Sequence, residues 1–233
     1  DQGFWGLVVT IGSLNQIAIG DRSVVAGGGV PLPVLARRTA SEGLGGLEFY
    51  AGIPGTVGGA VRMNAGGHGC QTSTVLEYAD VIDLLGDGRV QRIPATSFDF
   101  GYRHSALVPS GVVAAAAFHV TSEEPEVCEG RISEIVRWRQ ENQPGGANGG
   151  SVFQNPPDVS AGELIDSCGL KGLRIGGAHV SIKHANFIQA DAGATSADVR
   201  AVVAEVRRRV EESTGVRLDL ELRLVGFDDP ESL

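Results

Sequence analysis

The sequence predicts an α+β fold, with strands and helices mixed along the chain. Three observations carry this prediction. Apolar runs and helical periodicities follow one another without the regular strand–helix–strand alternation of a parallel sheet. Residues 216–224 alternate between apolar and charged side chains, as in a strand with one buried face. Glycine makes up 34 of the 233 residues, about double the usual share of roughly 7%, and it clusters between the apolar runs.

The first part of the chain predicts short strands, one helix and long glycine loops. Residues 4–30 contain three strand-like apolar runs, FWGLVVTI, QIAIG and SVVAGGG. Pro31 opens a helix that ends at Glu42, because proline fits a first helical turn and Gly43 provides a stop. Glycine loops are predicted to fill residues 43–69.

A hairpin, a further strand and a long helix are predicted next. The sequence GDG joins strands at 75–85 and 89–93 and is typical of a hairpin turn. A strand at 111–121 then leads to a helix over about 125–141.

A second glycine-rich stretch, PGGANGG at 144–150, predicts a domain boundary that separates residues 1–143 from residues 144–233. Beyond it, Ser160 and Glu163 match a capping box for a short helix.

That short helix is predicted to end at Gly169. Ser196 is predicted to cap a longer helix, which Gly215 stops. The alternating residues 216–224 then form the last strand, with Glu221 on its polar face.

Composition excludes several classes of protein. The net charge of −9 and the lack of a basic stripe argue against nucleic-acid binding. The sequence contains neither an apolar run of about 20 residues nor a signal-peptide pattern, so no membrane association is predicted. Cys70, Cys128 and Cys168 are odd in number and widely spaced, which indicates reduced thiols in a cytoplasmic protein.

Familiar catalytic motifs are missing. GxGxxG does not follow the first strands, and GxxxxGK[ST] and HExxH do not occur. The five histidines lack metal-ligand spacing, so no metal site is predicted. The segment GIPGTVGGA, Gly52–Ala60, has little that can pack a core. It is either a long surface loop or a backbone surface for a phosphate or a flat cofactor.

Three polar positions have a functional and a structural interpretation. Arg103, within YRHS, is suited to clamp a carboxylate with two hydrogen bonds, or it lies in a surface turn. Ser151, within GGSVFQNPP, presents its hydroxyl to a cleft, or the segment is only a turn. Glu221 is by default a solvent-facing carboxylate. None of the three is decisive alone.

Taken in order and spacing, the motifs become specific. The segments are GLGGLEFYAGIPGTVGGAVRMNAGGHG, YRHS, GGSVFQNPP, AGELIDSCGLKGLRIGGAHVSIKHANFIQ and GVRLDLELRLVGF. Together they resemble the UDP-N-acetylenolpyruvoylglucosamine reductase (UDP-N-acetylmuramate dehydrogenase) family over nearly the whole chain. These are flavoenzymes of bacterial peptidoglycan synthesis, and the short interval between YRHS and GGS is similar to the family's type II branch.

The resemblance implies an FAD-binding domain of the vanillyl-alcohol-oxidase-like (PCMH) fold at 1–143 and a smaller α+β substrate-binding domain at 144–233. It implies FAD and NADPH as cofactors, UDP-N-acetylglucosamine enolpyruvate as substrate, and a cytoplasmic monomer that serves cell-wall biogenesis, cell shape and division. It places the FAD pyrophosphate and isoalloxazine against the glycine segment. The implied cofactor-binding residues are Gly52, Ile53, Pro54, Gly55, Thr56, Gly58, Gly59, Ala60, Asn64, Ala65 and Gly66.

The resemblance also implies roles in the reaction. Arg103 polarises the substrate carboxylate, Ser151 donates a proton, and Glu221 shares the polarisation in its protonated form. Tyr102 and Asn155 bind the phosphates or the sugar of the substrate.

One departure from the family pattern concerns the start of the chain. Family members carry a GGGSNLLV-like loop before the position that matches Asp1, and this loop also holds the pyrophosphate. We therefore expect these 233 residues alone to bind FAD weakly. Two other functions stay open from the sequence: a flavin-dependent sugar or alcohol oxidase of related fold, and a truncated, non-catalytic remnant.

Overall fold

The computed structural model describes Gly3 and residues 5–226. The described chain divides into two compact units, of which one is Val8–Arg139. The other runs from Gln140 onward and includes residues 5–7. No helix among the described residues combines the length and apolarity needed to cross a bilayer. The predicted ligand-binding domains, divided at 143/144, stay a prediction.

The first unit is built on a five-stranded sheet, in the order β1-β2-β8-β6-β7, in which every neighbouring pair is antiparallel. Its strands are β1 (Ile17–Ile19), β2 (Ser23–Gly27), β3 (Leu44–Gly45), β4 (Gly66–Gly67), β5 (Cys70–Gln71), β6 (Leu76–Asp83), β7 (Val90–Pro94), β8 (Gly111–His119) and β9 (Thr121–Ser122). The helices of this part of the chain are α1 (Leu32–Ser41), α2 (Val57–Met63), α3 (Thr72–Val75) and α4 (Pro125–Asn142), with 3-10 turns at Glu48–Gly52 and Ala95–Ser97.

The core of this unit lies against one face of β2 and β8. Val24 and Ala26 alternate along β2 and are fully buried, opposite Phe118 and Ala116 of β8. Leu35 of α1 belongs to the same apolar cluster. Burying a side chain of this size contributes about 1.5–3 kcal/mol to stability. The observed elements confirm the predicted hairpin, the predicted strand at 111–121 and the predicted helices at 31–42 and 125–141.

Two expectations for the first 69 residues are wrong. The described part of FWGLVVTI forms no strand, because Trp5, Leu7 and Val8 are exposed and no neighbouring strand covers them; residue 4 lies outside the described residues. The region 43–69 is not only loop, since it contains the 3-10 turn and α2. Burial of the apolar residues of α2 offsets the low helix propensity of its two glycines.

The second unit combines a four-stranded antiparallel sheet, in the order β10-β13-β12-β11, with two helices. A stripe on the longer helix forms its core together with Phe153, Ile165 and Leu218. The elements are β10 (Asn148–Ser151), α5 (Ala161–Ser167), β11 (Arg174–Ile175), β12 (Ala178–Val180), β13 (Phe187–Ala190) and α6 (Ser196–Thr214). The stripe on α6 consists of Val199, Val202, Val203, Val206 and Val210.

The helix caps of this unit follow the sequence closely. The Ser160 and Glu163 capping box is present. The predicted cap of α6 is wrong by one residue: Thr195 is the N-cap, and its side chain accepts a hydrogen bond from Asp198 N at 3.1 Å. Gly215 ends α6 with a φ of 75°, as predicted, because glycine tolerates this left-handed conformation.

The predicted last strand is only partly present. Residues 216–224 form no ladder within the described chain, and Leu220 makes a single antiparallel bridge to Phe153. The alternation itself is confirmed, because Leu218 is buried while Arg217 and Asp219 are exposed. The segment therefore packs on the core by one edge without extending the sheet.

Candidate active site

The glycine segment Gly52–Ala60 is fixed to the preceding chain by backbone hydrogen bonds. Val57 N donates to Val30 O at 2.9 Å, and Gly58 N donates to Gly28 O at 2.8 Å. These bonds hold the start of α2 against the glycine run after β2. The segment is therefore an ordered surface, and its role as a backbone surface for a cofactor stays a prediction.

Two adjacent glycines in this segment have different surroundings. Gly58 is buried, and a Cβ there would lie 3.1 Å from Gly28 O, which is a tight contact. Gly59 is exposed, and the nearest atom to a Cβ would be Thr56 Oγ1 at 3.7 Å. Packing explains the glycine at 58 but leaves the glycine at 59 unexplained. A bare backbone face at Gly59 fits a flat ligand such as a flavin.

Asn64 lies at the other end of α2 and is 2% exposed. Its Nδ2 donates to Gly101 O at 3.0 Å and to Gln71 Oε1 at 3.4 Å. Its Oδ1 accepts from Ser73 N at 2.9 Å. The side-chain donor and acceptor are therefore both used inside the protein, so any contact between Asn64 and a cofactor would come from its backbone.

A buried tyrosine supports the same region. Tyr50 OH donates to Thr72 Oγ1 at 3.0 Å, and Thr72 Oγ1 in turn donates to Ala65 O at 2.9 Å. Burial raises the pKa of Tyr50 well above its usual value, so the phenol stays protonated. The sequence analysis did not find this chain of bonds, because Tyr50 and Thr72 are 22 residues apart.

Arg103 sits at the tip of a tight turn. Gly101 N donates to His104 O at 3.1 Å, and His104 N donates to Gly101 O at 3.3 Å. Arg103 has a φ of 52°, and its guanidinium carbon lies 5.0 Å from the centre of the Tyr102 ring. Tyr102 is 53% exposed. The turn therefore presents an aromatic ring and a cation side by side, and contacts of either with substrate stay a prediction.

The backbone at Arg103 is unusual. The other described non-glycine residues with positive φ are Asn64, His68 and Asp99, whose residue types tolerate this region. Arginine does not share that tolerance, and such a conformation costs about 1–3 kcal/mol. Neighbouring bonds must hold it.

The turn is also tied to α2 on its far side. Ser105 Oγ donates to Arg62 O at 2.8 Å. The Arg62 guanidinium donates to Val108 O at 2.7 Å and to Leu107 O at 3.2 Å. Hence α2 anchors the chain before and after Arg103.

Ser151 is the last residue of β10 and is half-buried. It pairs with Phe187 of β13 and follows Gly150, whose φ is 81°. Among the residues that the structure describes, none forms a hydrogen bond with the Ser151 hydroxyl. The hydroxyl is therefore open to a ligand.

Asn186, which the sequence analysis missed, holds the chain directly after Ser151. Its Oδ1 accepts from Phe153 N at 2.9 Å, and its Nδ2 donates to Phe153 O at 2.8 Å. Its backbone oxygen accepts from Val152 N at 2.9 Å. Asn186 is buried. The available signal was a polar residue directly ahead of the apolar pair FI in HANFI.

We expect Asn186→Ala to lower the free energy of unfolding by roughly 2–5 kcal/mol, because it leaves two buried backbone groups of Phe153 without partners. Asn148→Ala is the matched control. Asn148 also makes two side-chain bonds to backbone, at 3.1 and 3.0 Å, but it is exposed, so its loss should stay under about 1 kcal/mol. Urea unfolding of the two variants measures the difference, and equal losses would contradict this account.

Glu221 lies in the segment that runs beside the chain after Ser151. Glu221 N donates to Val152 O at 2.9 Å, and Gln154 N donates to Asp219 O at 2.8 Å. Glu221 is half-buried, so its side chain is neither fully exposed nor part of the core. The fold thus places Ser151 and Glu221 on neighbouring segments of one unit.

Asn155 has a clear structural contact. It is exposed, and its Oδ1 accepts from Ala161 N at 3.0 Å, which fixes the loop before α5. A contact with substrate stays a prediction. Arg103 and Tyr102 belong to the first unit, whereas Ser151, Asn155 and Glu221 belong to the second.

His184 is a packing residue in the second unit. Its ring lies 4.7 Å from that of Phe187, and its Nδ1 accepts from Asn186 N at 3.3 Å. Burial, with a smaller effect of the Lys171 charge, lowers the pKa of His184. The imidazole is therefore neutral near pH 7.

One acidic cluster in the first unit is explained by an ion pair. Glu48, Glu123 and Cys128 lie close together, and Arg131 pairs with both carboxylates. The arginine holds the pKa of Glu123 below its usual range, and burial raises that of Cys128 to about 11. The Arg131 guanidinium supplies the positive charge that balances the two carboxylates.

Comparison with known proteins decides the family. Residues 141–225 match the family described as "UDP-N-acetylenolpyruvoylglucosamine reductase, C-terminal domain", and residues 1–94 match "FAD binding domain". A UDP-N-acetylenolpyruvoylglucosamine reductase of Syntrophotalea carbinolica is 43% identical over 228 residues, which cover 97% of this chain and 75% of that protein. The chain belongs to the UDP-N-acetylenolpyruvoylglucosamine reductase family.

Other members of the reductase family agree. The enzyme of Heliobacterium modesticaldum is 43% identical over 230 residues, covering 97% of this chain and 73% of its own length. The crystal structure of the reductase from Thermus caldophilus superimposes with a TM-score of 0.76 at 40% identity, covering 85% of this chain and 71% of that one. The resemblance and the α+β fold predicted from sequence are thereby confirmed, and the glycine segment lies within the part that matches the FAD-binding family.

Proposed function

We propose that this chain is an FAD-dependent, NADPH-using reductase that converts UDP-N-acetylglucosamine enolpyruvate to UDP-N-acetylmuramate during the cytoplasmic synthesis of peptidoglycan precursors. The observation that carries the proposal is the match to the reductase family at 43% identity over 97% of the chain. The free Ser151 hydroxyl and the rigidly held Arg103 turn support it.

FAD would be held by the segment from Gly52 to Gly66, where the bare face at Gly59 leaves room for it. A bound FAD would supply the hydride-transfer chemistry between NADPH and the terminal vinyl carbon of the substrate. The protein contributes an ordered backbone surface to the flavin here. Its order comes from the bonds between α2 and the glycine run after β2.

Arg103 meets the charge that develops on the substrate. Addition of hydride to the vinyl carbon leaves an electron pair at the neighbouring carbon, and this pair delocalises into the carboxylate as an enolate. A guanidinium forms two parallel hydrogen bonds with a carboxylate and is always charged. The turn that holds Arg103 fixes this cation before substrate arrives, so little reorganisation is needed during the reaction.

Ser151 completes the reaction as proton donor. The enolate carbon takes the hydroxyl proton, which makes the new C–H bond, and the serine alkoxide recovers a proton from water. A serine hydroxyl is a weak acid, but an enolate carbanion is a strong enough base to take its proton. A hydrogen bond from the hydroxyl to another protein group would compete with this role, and none is seen at the Ser151 hydroxyl among the described residues.

Glu221 would share the polarisation of the carboxylate from the segment next to Ser151. Tyr102 and Asn155 would contact the phosphates or sugar, as both are exposed polar side chains.

The proposed reaction is tested by its product. NADPH consumption should depend on the enolpyruvyl substrate, and the product formed in deuterated water should carry one deuterium next to the carboxylate. Consumption of oxygen with a free sugar, in place of this product, would identify an oxidase.

The proposed flavin surface is tested by two adjacent glycines. Gly59→Ala should leave the apo-protein equally stable or raise its stability by up to about 1 kcal/mol, because alanine favours the helix and has room. It should weaken FAD binding, because the new methyl group occupies the bare face. Gly58→Ala, the control, should lower stability through its contact with Gly28 O. Thermal unfolding and flavin fluorescence titration separate the effects, and unchanged FAD affinity in Gly59→Ala would remove the flavin from this face.

A further inference from the structure

We propose that Asn64 is a positioning residue for Arg103: it fixes the backbone of the turn that carries the guanidinium and so sets where that cation meets the substrate carboxylate. This inference rests on the proposed function and deepens it. Its side chain touches no reacting atom in the proposed mechanism and acts on the reaction through Arg103.

The first support is the conformation of the turn. Arg103 has a φ of 52°, which an arginine adopts only when surrounding bonds hold it there. The two backbone bonds between Gly101 and His104 close the turn but do not attach it to the rest of the unit. An attachment outside the turn is needed to fix the direction in which it points.

Asn64 supplies that attachment from a rigid position. Its Nδ2 donates to Gly101 O at 3.0 Å, while its Oδ1 is fixed by Ser73 N at 2.9 Å. The side chain is buried, so water does not compete for these bonds. On the other side of the turn, Ser105 Oγ donates to Arg62 O at 2.8 Å. The turn is thus held on both sides of Arg103 by the last turn of α2 and its C-cap.

The same helix carries the proposed flavin surface. α2 begins at Val57, after its N-cap Thr56, and contains Gly59, and Asn64 is its C-cap with a φ of 42°. One short element therefore sets both the bare backbone face and the Arg103 turn. A change at Asn64 should move the cation relative to that face without altering the face itself.

Asn64→Asp is the sharpest variant. Aspartate has the same shape and keeps an acceptor for Ser73 N, but it replaces the donor to Gly101 O with a repelling oxygen. In the FAD-loaded protein, we expect reoxidation of the reduced flavin by UDP-N-acetylglucosamine enolpyruvate to slow by about 10- to 100-fold, as misplacement of a catalytic group does. Reduction by NADPH should change by less than about twofold.

A double-mutant cycle shows whether Asn64 acts through Arg103. In an Arg103→Ala background, Asn64→Asp should slow reoxidation by less than about a further twofold, because the group that it positions is gone. Full additivity would overturn the proposal. Thr39→Val is the control for general destabilisation: it removes buried hydrogen bonds to Leu35 O and Ala36 O in α1, far along the chain from the turn, and should leave both half-reactions unchanged.

A structural measurement separates this inference from the proposed function. Amide hydrogen exchange at Gly101 and His104 should accelerate in Asn64→Asp and stay unchanged in Thr39→Val. Unchanged exchange at these amides would overturn the positioning role whatever the substrate. Accelerated exchange in a protein whose wild type does not react with the enolpyruvyl substrate would leave the anchor intact and defeat the proposed function alone.

Discussion

Replacing Ser151 by alanine is expected to lower the rate at which substrate reoxidises the reduced flavin by about 10²–10⁴-fold, the usual contribution of a general acid. The substitution removes one oxygen and adds no bulk. No described residue bonds to that oxygen, so the fold should lose little stability. Reduction of FAD by NADPH does not use this proton and should continue at the wild-type rate. Stopped-flow absorbance measures both half-reactions.

The matched variant is Ser151→Cys. A thiol is a stronger acid than a serine hydroxyl and has similar reach, so part of the lost activity should return. A Ser151→Ala protein that reoxidises at the wild-type rate would remove Ser151 from the mechanism. The GGSVF segment would then have only a structural role, at the β10 edge of the four-stranded sheet.

Arg103→Lys is expected to lower the same reoxidation rate by roughly 10- to 100-fold. Lysine keeps the positive charge but loses the planar pair of donors that a carboxylate accepts. It also inherits the unfavourable left-handed backbone, so it gains nothing in stability. The loss should appear in the half-reaction with enolpyruvyl substrate, while flavin reduction by NADPH is spared.

Arg103→Ala distinguishes charge from geometry. It should be slower than Arg103→Lys, because it lacks both the charge and the fork. Equal damage to reduction and reoxidation in either variant would assign Arg103 to cofactor binding or to folding. It would also end the argument that the turn exists to present a guanidinium to substrate.

The fold was predictable where local chemistry decides it. The GDG hairpin, the Ser160 capping box and the stop at Gly215 depend on residues within a few positions of each other, and all three are confirmed. The strand expected in FWGLVVTI failed because an apolar run needs a neighbouring strand to cover it, which the sequence does not reveal. α2 was missed for the opposite reason, since burial overrides the helix propensity of its two glycines.

The candidate site could likewise be predicted from the sequence only in part. Long motifs were enough to indicate the family and to select Arg103, Ser151 and Glu221 as candidates. The groups that hold them were not predictable, because the bonds from Asn64 to Gly101 and from Asn186 to Phe153 join residues more than 30 positions apart. A polar residue buried in an apolar stretch is the one sequence signal for such anchors, and it does not name the partner.

The central claim, that this chain reduces an enolpyruvyl ether through a bound flavin, is tested most directly by one anaerobic experiment. The protein is saturated with FAD, reduced with one equivalent of NADPH, and mixed with UDP-N-acetylglucosamine enolpyruvate. The account predicts return of the oxidised flavin spectrum with formation of an equal amount of UDP-N-acetylmuramate. Flavin that stays reduced until oxygen is admitted, with the substrate recovered unchanged, would contradict it.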